Sequence, residues 1–128
     1  MIGCVDGLSI NLDPSYQWLP GNYSFSLVID GRISHCTAKL PLPACGDERA
    51  VTCDNHEITI VESGCALPPG SQGFGPVMIS SSPKSVALTI TRNGLSVLDR
   101  RISPQYSSVQ PNGPMCGPVC RSATIELY

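Results

Sequence analysis

Alternation of apolar and polar side chains at every second position is the feature that most constrains how this chain folds. It is clearest at 23–29, where Tyr, Phe, Leu and Ile occupy every other position. Successive side chains of an extended strand point to opposite faces of a sheet, so this period predicts a strand with one buried face. Asp-Gly follows at 30–31, and Asn-Gly at 93–94 follows a second alternating run at 85–92. Both pairs predict hairpin turns, because a type I′ turn needs positive φ at its two central residues.

The whole pattern predicts about nine short strands, and no run with a period of 3.6 residues is long enough to indicate a helix. Because a parallel sheet needs crossover helices, we expect a single all-β domain over 1–128, an antiparallel β-sandwich of immunoglobulin-like or transthyretin-like type. Asp54-Asn55 is expected to form a further turn, and Trp18, in a proline-bounded loop, to cover one end of the core. The predicted strands are 5–12, 23–29, 32–40, 49–53, 56–62, 76–81, 85–92, 95–102 and 119–128.

The charge content argues against a nucleic-acid partner. Charged residues make up 14% of the chain, against about 25% in an average domain, and the net charge is −2. No basic run is longer than Arg100-Arg101, whereas a nucleic-acid-binding protein neutralises several phosphates with clustered cations. No stretch of apolar residues is long enough to form a membrane-spanning helix.

Seven cysteines in 128 residues predict disulfides that form in an oxidising compartment. The number is odd, so one cysteine is left over if all pairing is internal. Cys4 is the best candidate, because Met-Ile-Gly-Cys is similar to a bacterial lipobox, in which the cysteine carries a lipid; alternatively, Cys4 is a half-cystine whose partner lies near Cys65. The sequence leaves open the partners of Cys36, Cys45, Cys53 and Cys65.

Cys116 and Cys120 lie in a proline- and glycine-rich stretch, where they could form a disulfide, a redox pair or part of a metal site. A redox Cys pair usually stands at a helix N-terminus, and no helix is predicted here. We therefore predict a structural disulfide that shapes the connection 103–119, and we expect no cofactor. The alternative is a copper or zinc site formed by Cys116, Cys120 and a histidine.

No sequence motif indicates catalysis, and we predict that the chain is not an enzyme. Gly70-Ser71-Gln72-Gly73 is one residue shorter than the Gly-x-Ser-x-Gly of serine hydrolases, and no phosphate-binding glycine motif is present. A catalytic triad is defined by its arrangement in space, so a small hydrolase stays open as an alternative, as does a protease inhibitor.

Several phrases together resemble cysteine-rich domains of predicted secreted lipoproteins of myxobacterial type. They are Gly-Cys-Val-Asp-Gly-Leu at 3–8, Leu-Pro-Gly-Asn-Tyr-Ser-Phe at 19–25, Asp-Gly at 30–31 with Cys36 five positions on, Ser-Gly-Cys-Ala-Leu-Pro-Pro at 63–69 and Gln-Pro-Asn-Gly-Pro-Met-Cys-Gly-Pro-Val-Cys-Arg at 110–121. The resemblance implies export and a lipid anchor, and it assigns no catalytic residues. The 19–25 phrase is also similar to a hairpin of transthyretin-like and carboxypeptidase-regulatory-like sandwiches.

These observations predict an exported, lipid-anchored module of the cell envelope that has a binding or structural role. Its partner would be a protein or a glycan at the envelope surface. Recognition usually resides in loops on a rigid scaffold, so we expect contacts from loops 63–75 and 103–119 at one end of the sandwich. Phe74, Tyr106 and Met115 are the apolar residues that could anchor a partner there; alternatively, they cover the core.

Overall fold

A computed structural model describes residues 6–46, 49–109 and 120–127. Over these residues the protein is all-β, and its helical structure is limited to one 3-10 turn, Pro69–Ser71. Ten strands are formed rather than about nine. They are β1 Gly7–Leu12, β2 Gly21–Ile29, β3 Arg32–Leu40, β4 Thr52–Cys53, β5 Ile58–Ser63, β6 Gly73–Ile79, β7 Val86–Arg92, β8 Leu95–Ile102, β9 Ser107–Val109 and β10 Cys120–Leu127.

The strands form two five-stranded sheets, which confirms the predicted β-sandwich. The first sheet has the order β5-β6-β1-β10-β9, and the second has the order β4-β3-β2-β7-β8. Pairing is antiparallel except between β1 and β10, which run parallel from Gly7 opposite Ser122 to Leu12 opposite Leu127. These two strands are separated by most of the chain, so no short connection forces them to be antiparallel.

The core lies between the two sheets and contains the residues that the alternation predicts. Tyr23, Phe25 and Leu27 of β2 are at most 2% exposed. Alternate residues of β3 from Ser34 to Leu40, and of β7 from Val86 to Ile90, are buried beside them. The first sheet contributes its own aliphatic residues to this core, namely Leu8, Ile10, Ile58, Ile60, Val77 and Ile79.

Both predicted hairpin turns are present in the predicted conformation. Asp30 and Gly31 have φ of 48° and 86°, and Asn93 and Gly94 have φ of 51° and 82°. The Asp30 side chain also joins the hairpin to the next strand of the sheet, because its Oδ1 accepts hydrogen bonds from the backbone N–H groups of Lys84 and Ser85, both at 2.9 Å.

Replacement of Asp30 by alanine should therefore destabilise the fold by about 1–2 kcal/mol, since two hydrogen bonds are lost and alanine tolerates positive φ poorly. Asp30→Asn is the matched control, because asparagine keeps an acceptor oxygen and adopts the left-handed conformation more readily. Urea denaturation measures both changes. Equal losses for the two variants would show that the side-chain oxygen contributes nothing.

The structure differs from the sequence prediction at β4, at β6 and in the strands that the turn after Cys53 joins. β4 is only two residues long, because the N–H groups of Ala50 and Val51 bond to the Glu62 carboxylate instead of to β3. β6 begins at Gly73, inside a glycine-rich segment that the sequence indicates as a loop. The connection after Cys53 turns as expected, but the two strands that it joins lie in different sheets.

The loop 63–75 and residues 103–106, which begin the predicted loop 103–119, do not share one end of the sandwich, contrary to the prediction. β6 begins at Gly73, opposite Ser63, and Phe74 packs beside Tyr23 near the start of β2. β8, in contrast, ends at Ile102 opposite Val86, which pairs with Ile29 at the far end of β2. The segments 63–75 and 103–106 therefore lie at opposite ends.

Candidate functional site: a cleft at one end of the sandwich

An open cleft of about 710 Å³ lies where β1 and β6 separate. The two strands pair from Leu8 opposite Ile79 to Ile10 opposite Val77. Pairing ends there, and the next residue of β6 towards the cleft is Pro76, which has no N–H to donate to a sheet. The cleft lies between residues 11–18 on one side and 70–76 on the other.

The first wall of the cleft is formed by the end of β1 and a turn at 13–16. The backbone N–H of Tyr16 donates to the carbonyl oxygen of Asp13 at 3.1 Å, and Pro14 suits the second position of such a turn. Asp13 Oδ1 accepts hydrogen bonds from Ser15 Oγ at 2.7 Å and Ser15 N at 2.9 Å. These bonds favour the ionised carboxylate and hold the pKa of Asp13 below its usual value.

An aromatic cluster supports this wall. The Trp18 ring contacts the rings of Tyr16, Phe74 and Tyr23 edge to face, with centroid distances of 4.8, 5.1 and 5.5 Å. Trp18 is buried, whereas Tyr16 is 40% exposed. The Tyr23 hydroxyl donates to the carbonyl oxygen of Leu19, and burial raises the pKa of this phenol. Trp18 thus covers the core at one end, as predicted. It also packs against the exposed ring of Tyr16 at the cleft.

Gly73 allows Trp18 to lie against the backbone of β6. A Cβ atom at position 73 would stand 2.9 Å from Trp18 Cγ and closer still to Cδ1. No side chain larger than hydrogen fits there without displacing the indole ring. The wall formed by residues 13–18 therefore depends on a glycine from the opposite wall.

The second wall, residues 70–76, follows a segment at 64–72 that is fixed by hydrogen bonds and one disulfide. Gln72 is 7% exposed; its Oε1 accepts from Leu42 N at 2.6 Å, and its Nε2 donates to the carbonyl oxygen of Leu67 at 3.0 Å. The disulfide between Cys45 and Cys65 is a second link between the residues that follow β3 and the segment 64–72. Both walls are thus held in place by contacts within the chain.

The charge of the cleft is low and negative. Asp13 is the one carboxylate among the described residues that line it, and none of those residues is lysine, arginine or histidine. The other polar side chains are amides and hydroxyls, including Asn11, Gln17 and Ser71. The cleft is therefore suited to an uncharged ligand with hydrogen-bonding groups.

The predicted contact residues do not come together. Phe74 is 5% exposed and belongs to the core, which is the second of the two predicted alternatives and not the surface anchor: β6 turns this side chain inwards against Trp18, Tyr23 and Phe25. Tyr106 is half-buried at the opposite end, where its hydroxyl donates to the carbonyl oxygen of Pro83 at 2.6 Å. Burial raises the pKa of the Tyr106 phenol. Met115 lies outside the described residues.

Two of the unassigned cysteine pairings are now clear. Cys36 bonds to Cys53 and joins β3 to β4, and Cys45 bonds to Cys65 beside the cleft. Cys120 is also disulfide-bonded, but the predicted pair Cys116–Cys120 and the fate of Cys4 lie outside the described residues. The disulfides indicate an oxidising, extracellular compartment.

The groups that could form a metal site or a catalytic triad are not assembled among the described residues. No three histidine, cysteine or carboxylate side chains there are placed to hold a metal ion. His35 is exposed on the outer face of β3, and its Nδ1 lies 3.2 Å from Ser26 Oγ. Asp54 bonds to the backbone N–H of His35 rather than to its ring, so a Ser-His-Asp relay is not formed at this position.

Comparisons with protein-family models, with curated proteins and with solved structures found no match to this chain. Within the described part of the chain, no helix has the length and hydropathy needed to cross a membrane.

The sequence prediction missed the loop 13–20, which forms half of the cleft. Its signal was present: Asp13-Pro14-Ser15 is a turn sequence, and two aromatic residues follow it within three positions. Pairing this loop with residues 70–76 requires the order of strands in the first sheet, which the alternation of side chains does not give.

Proposed function

We propose that this chain is an exported module of the cell envelope that binds a ligand in the end cleft and catalyses no reaction. The observation that carries the proposal is the cleft itself, whose first wall is held by the ring contacts of Trp18 and whose second wall is held by the Cys45–Cys65 disulfide and the buried Gln72. Binding sites are usually concave and largely preformed, and about 710 Å³ falls within their common range.

The side chains of the cleft favour binding over catalysis. A general acid or base works best with a pKa near the operating pH, but the hydrogen bonds from Ser15 shift the pKa of Asp13 in the opposite direction. The described lining residues offer no histidine, cysteine or lysine to act with Asp13 as a nucleophile or proton donor. The alternative of a metal-binding role is weakened as well, because Cys120 is disulfide-bonded and so does not offer a thiolate ligand.

Export and a lipid anchor at Cys4 form the second part of the proposal. The disulfides support export, and the resemblance to predicted secreted lipoproteins supports the anchor. In this arrangement the lipid would hold the module at a membrane surface while the cleft faces the extracellular medium.

The anchor is tested by fractionating cells that express the full-length protein and analysing its peptides by mass spectrometry without reductant. We expect the protein in the membrane fraction, a diacylglyceryl group on the Cys4 peptide, and bridged Cys36–Cys53 and Cys45–Cys65 peptides. A Cys4→Ser variant should be exported but released from the membrane. Equal partitioning of the two proteins would contradict the anchor, and a cytosolic protein with free thiols would contradict export.

A further inference from the structure

We infer that the ligand of the end cleft is a neutral glycan, bound by stacking on Tyr16 and by hydrogen bonds to the polar side chains around it. The inference rests on the proposed binding role of the cleft and specifies the class of ligand. It is carried by the charge of the cleft, the exposed aromatic ring, the type of polar side chain and the shape of the walls.

The charge of the cleft selects against anionic ligands. Asp13 stays ionised because Ser15 donates two hydrogen bonds to its carboxylate, and no cationic side chain stands among the described lining residues. A phosphate, a carboxylate or an acidic polysaccharide would meet a like charge without a compensating partner, which disfavours its binding. A neutral hydroxyl, in contrast, can donate to the carboxylate in a charge-assisted hydrogen bond.

The Tyr16 ring offers the apolar surface that a sugar requires. Its edge contact with Trp18, at 4.8 Å between centroids, holds the ring in place while 40% of the residue remains exposed. The C–H groups on one face of a pyranose ring form an apolar patch of similar size, and tyrosine combines an apolar face with a polar hydroxyl. Because the ring is already supported, little side-chain entropy is lost on binding.

The polar groups around Tyr16 suit a ligand with many hydroxyls. Asn11 and Gln17 each carry an amide that can donate and accept, and Ser71 adds a hydroxyl. A sugar hydroxyl likewise donates and accepts, so the two sets are complementary without any net charge. Asp13 supplies an acceptor that remains ionised.

The walls are less suited to a peptide. An extended peptide that adds a strand to a sheet needs a free sheet edge for its backbone and pockets for its alternate side chains. Pro76 interrupts the edge of β6 that faces the cleft, because it has no N–H. Two other residues of that wall, Gly73 and Gly75, are glycines, and added Cβ atoms there would meet Trp18 and Val61. These residues therefore contribute no side chains that could line a pocket for a peptide side chain.

The test is a titration of ¹⁵N-labelled protein followed by backbone amide shifts. The probes are neutral hexose and N-acetylhexosamine oligosaccharides, an oligouronate of the same length and an uncharged extended peptide. We expect the neutral oligosaccharides to shift amides at 13–18 and 70–75, and the oligouronate to bind more weakly.

Tyr16→Ala should reduce the affinity for the neutral oligosaccharides about tenfold, as expected for loss of one aromatic contact, and Tyr16→Phe should largely retain that affinity.

Ile33→Ala is the matched control, because Ile33 is 65% exposed on β3, outside the cleft; it should leave the affinity unchanged. Binding of the peptide but not of the sugars would overturn the glycan inference and leave the binding role intact. Oligouronate binding as tight as that of the neutral sugars would also overturn it. If no probe shifts the cleft amides, both the inference and the proposed binding role are wrong.

Discussion

Replacement of Trp18 by alanine is expected to lower the free energy of unfolding by about 3–5 kcal/mol, the range for truncating a large buried aromatic side chain. Trp18 is 8% exposed and contacts three other aromatic rings, so its removal leaves a cavity that the fixed strands around it cannot fill. The Tyr16 ring would also lose the contact that holds it at the cleft. Far-UV circular dichroism during urea denaturation measures the loss, since the variant lacks the only tryptophan of the chain.

Gly73→Ala tests the same contact from the other side. The added Cβ overlaps the indole ring and should cost about 1–3 kcal/mol, with a shift of Trp18 fluorescence that reports exposure of the ring. Gly70→Ala is the matched control, because a Cβ at position 70 meets nothing within 4 Å. In the double variant Trp18→Ala/Gly73→Ala the overlap disappears, so the combined loss should be smaller than the sum. Additive losses would show that the two residues do not interact.

Four strands of the second sheet, β2, β3, β7 and β8, could be predicted because their evidence is local. The alternation in β2, β3 and β7 indicates which face is buried. Asp-Gly determines the turn between β2 and β3, and Asn-Gly determines the turn between β7 and β8. β4 and β6 show the limit of such evidence. The start of β4 is limited by Ala50, whose backbone N–H bonds to Glu62, twelve positions away. The start of β6 lies at Gly73, where only a glycine leaves room for Trp18. Both boundaries therefore depend on contacts between distant parts of the chain.

The candidate site was only partly predictable, for the same reason. Part of the predicted contact loop 63–75 lines the cleft, but Phe74, which the sequence left as either an anchor or a core residue, is turned inwards because it occupies a core-facing position of β6. The facing loop 13–20 joins the site through the pairing of β1 with β6, two strands that are far apart in sequence. The spacing of cysteines likewise could not choose partners, because pairing depends on which loops lie side by side.

Removal of the buried disulfide should destabilise the protein more than removal of the exposed one. Cys36–Cys53 and Cys45–Cys65 span 17 and 20 residues, so the loop-closure entropy model gives each about 3 kcal/mol. Any difference in the stability lost on removing each disulfide must therefore come from the folded state. Cys36 is fully buried in the core, whereas Cys45 and Cys65 are both exposed. We expect Cys36→Ala/Cys53→Ala to lose about 1–2 kcal/mol more than Cys45→Ala/Cys65→Ala, because it also leaves a cavity.

The same difference in exposure predicts the order of reduction. A thiol–disulfide exchange requires access to a sulfur atom, so a low concentration of phosphine reductant should open Cys45–Cys65 first. Alkylation followed by peptide mass spectrometry measures this order. Since Cys45–Cys65 joins the loop 41–51 to the cleft wall, its reduction should weaken binding in the cleft while the core stays folded. Earlier alkylation of Cys36 and Cys53, or equal stability losses in the two double variants, would contradict the assignment of one disulfide to the core and the other to the cleft.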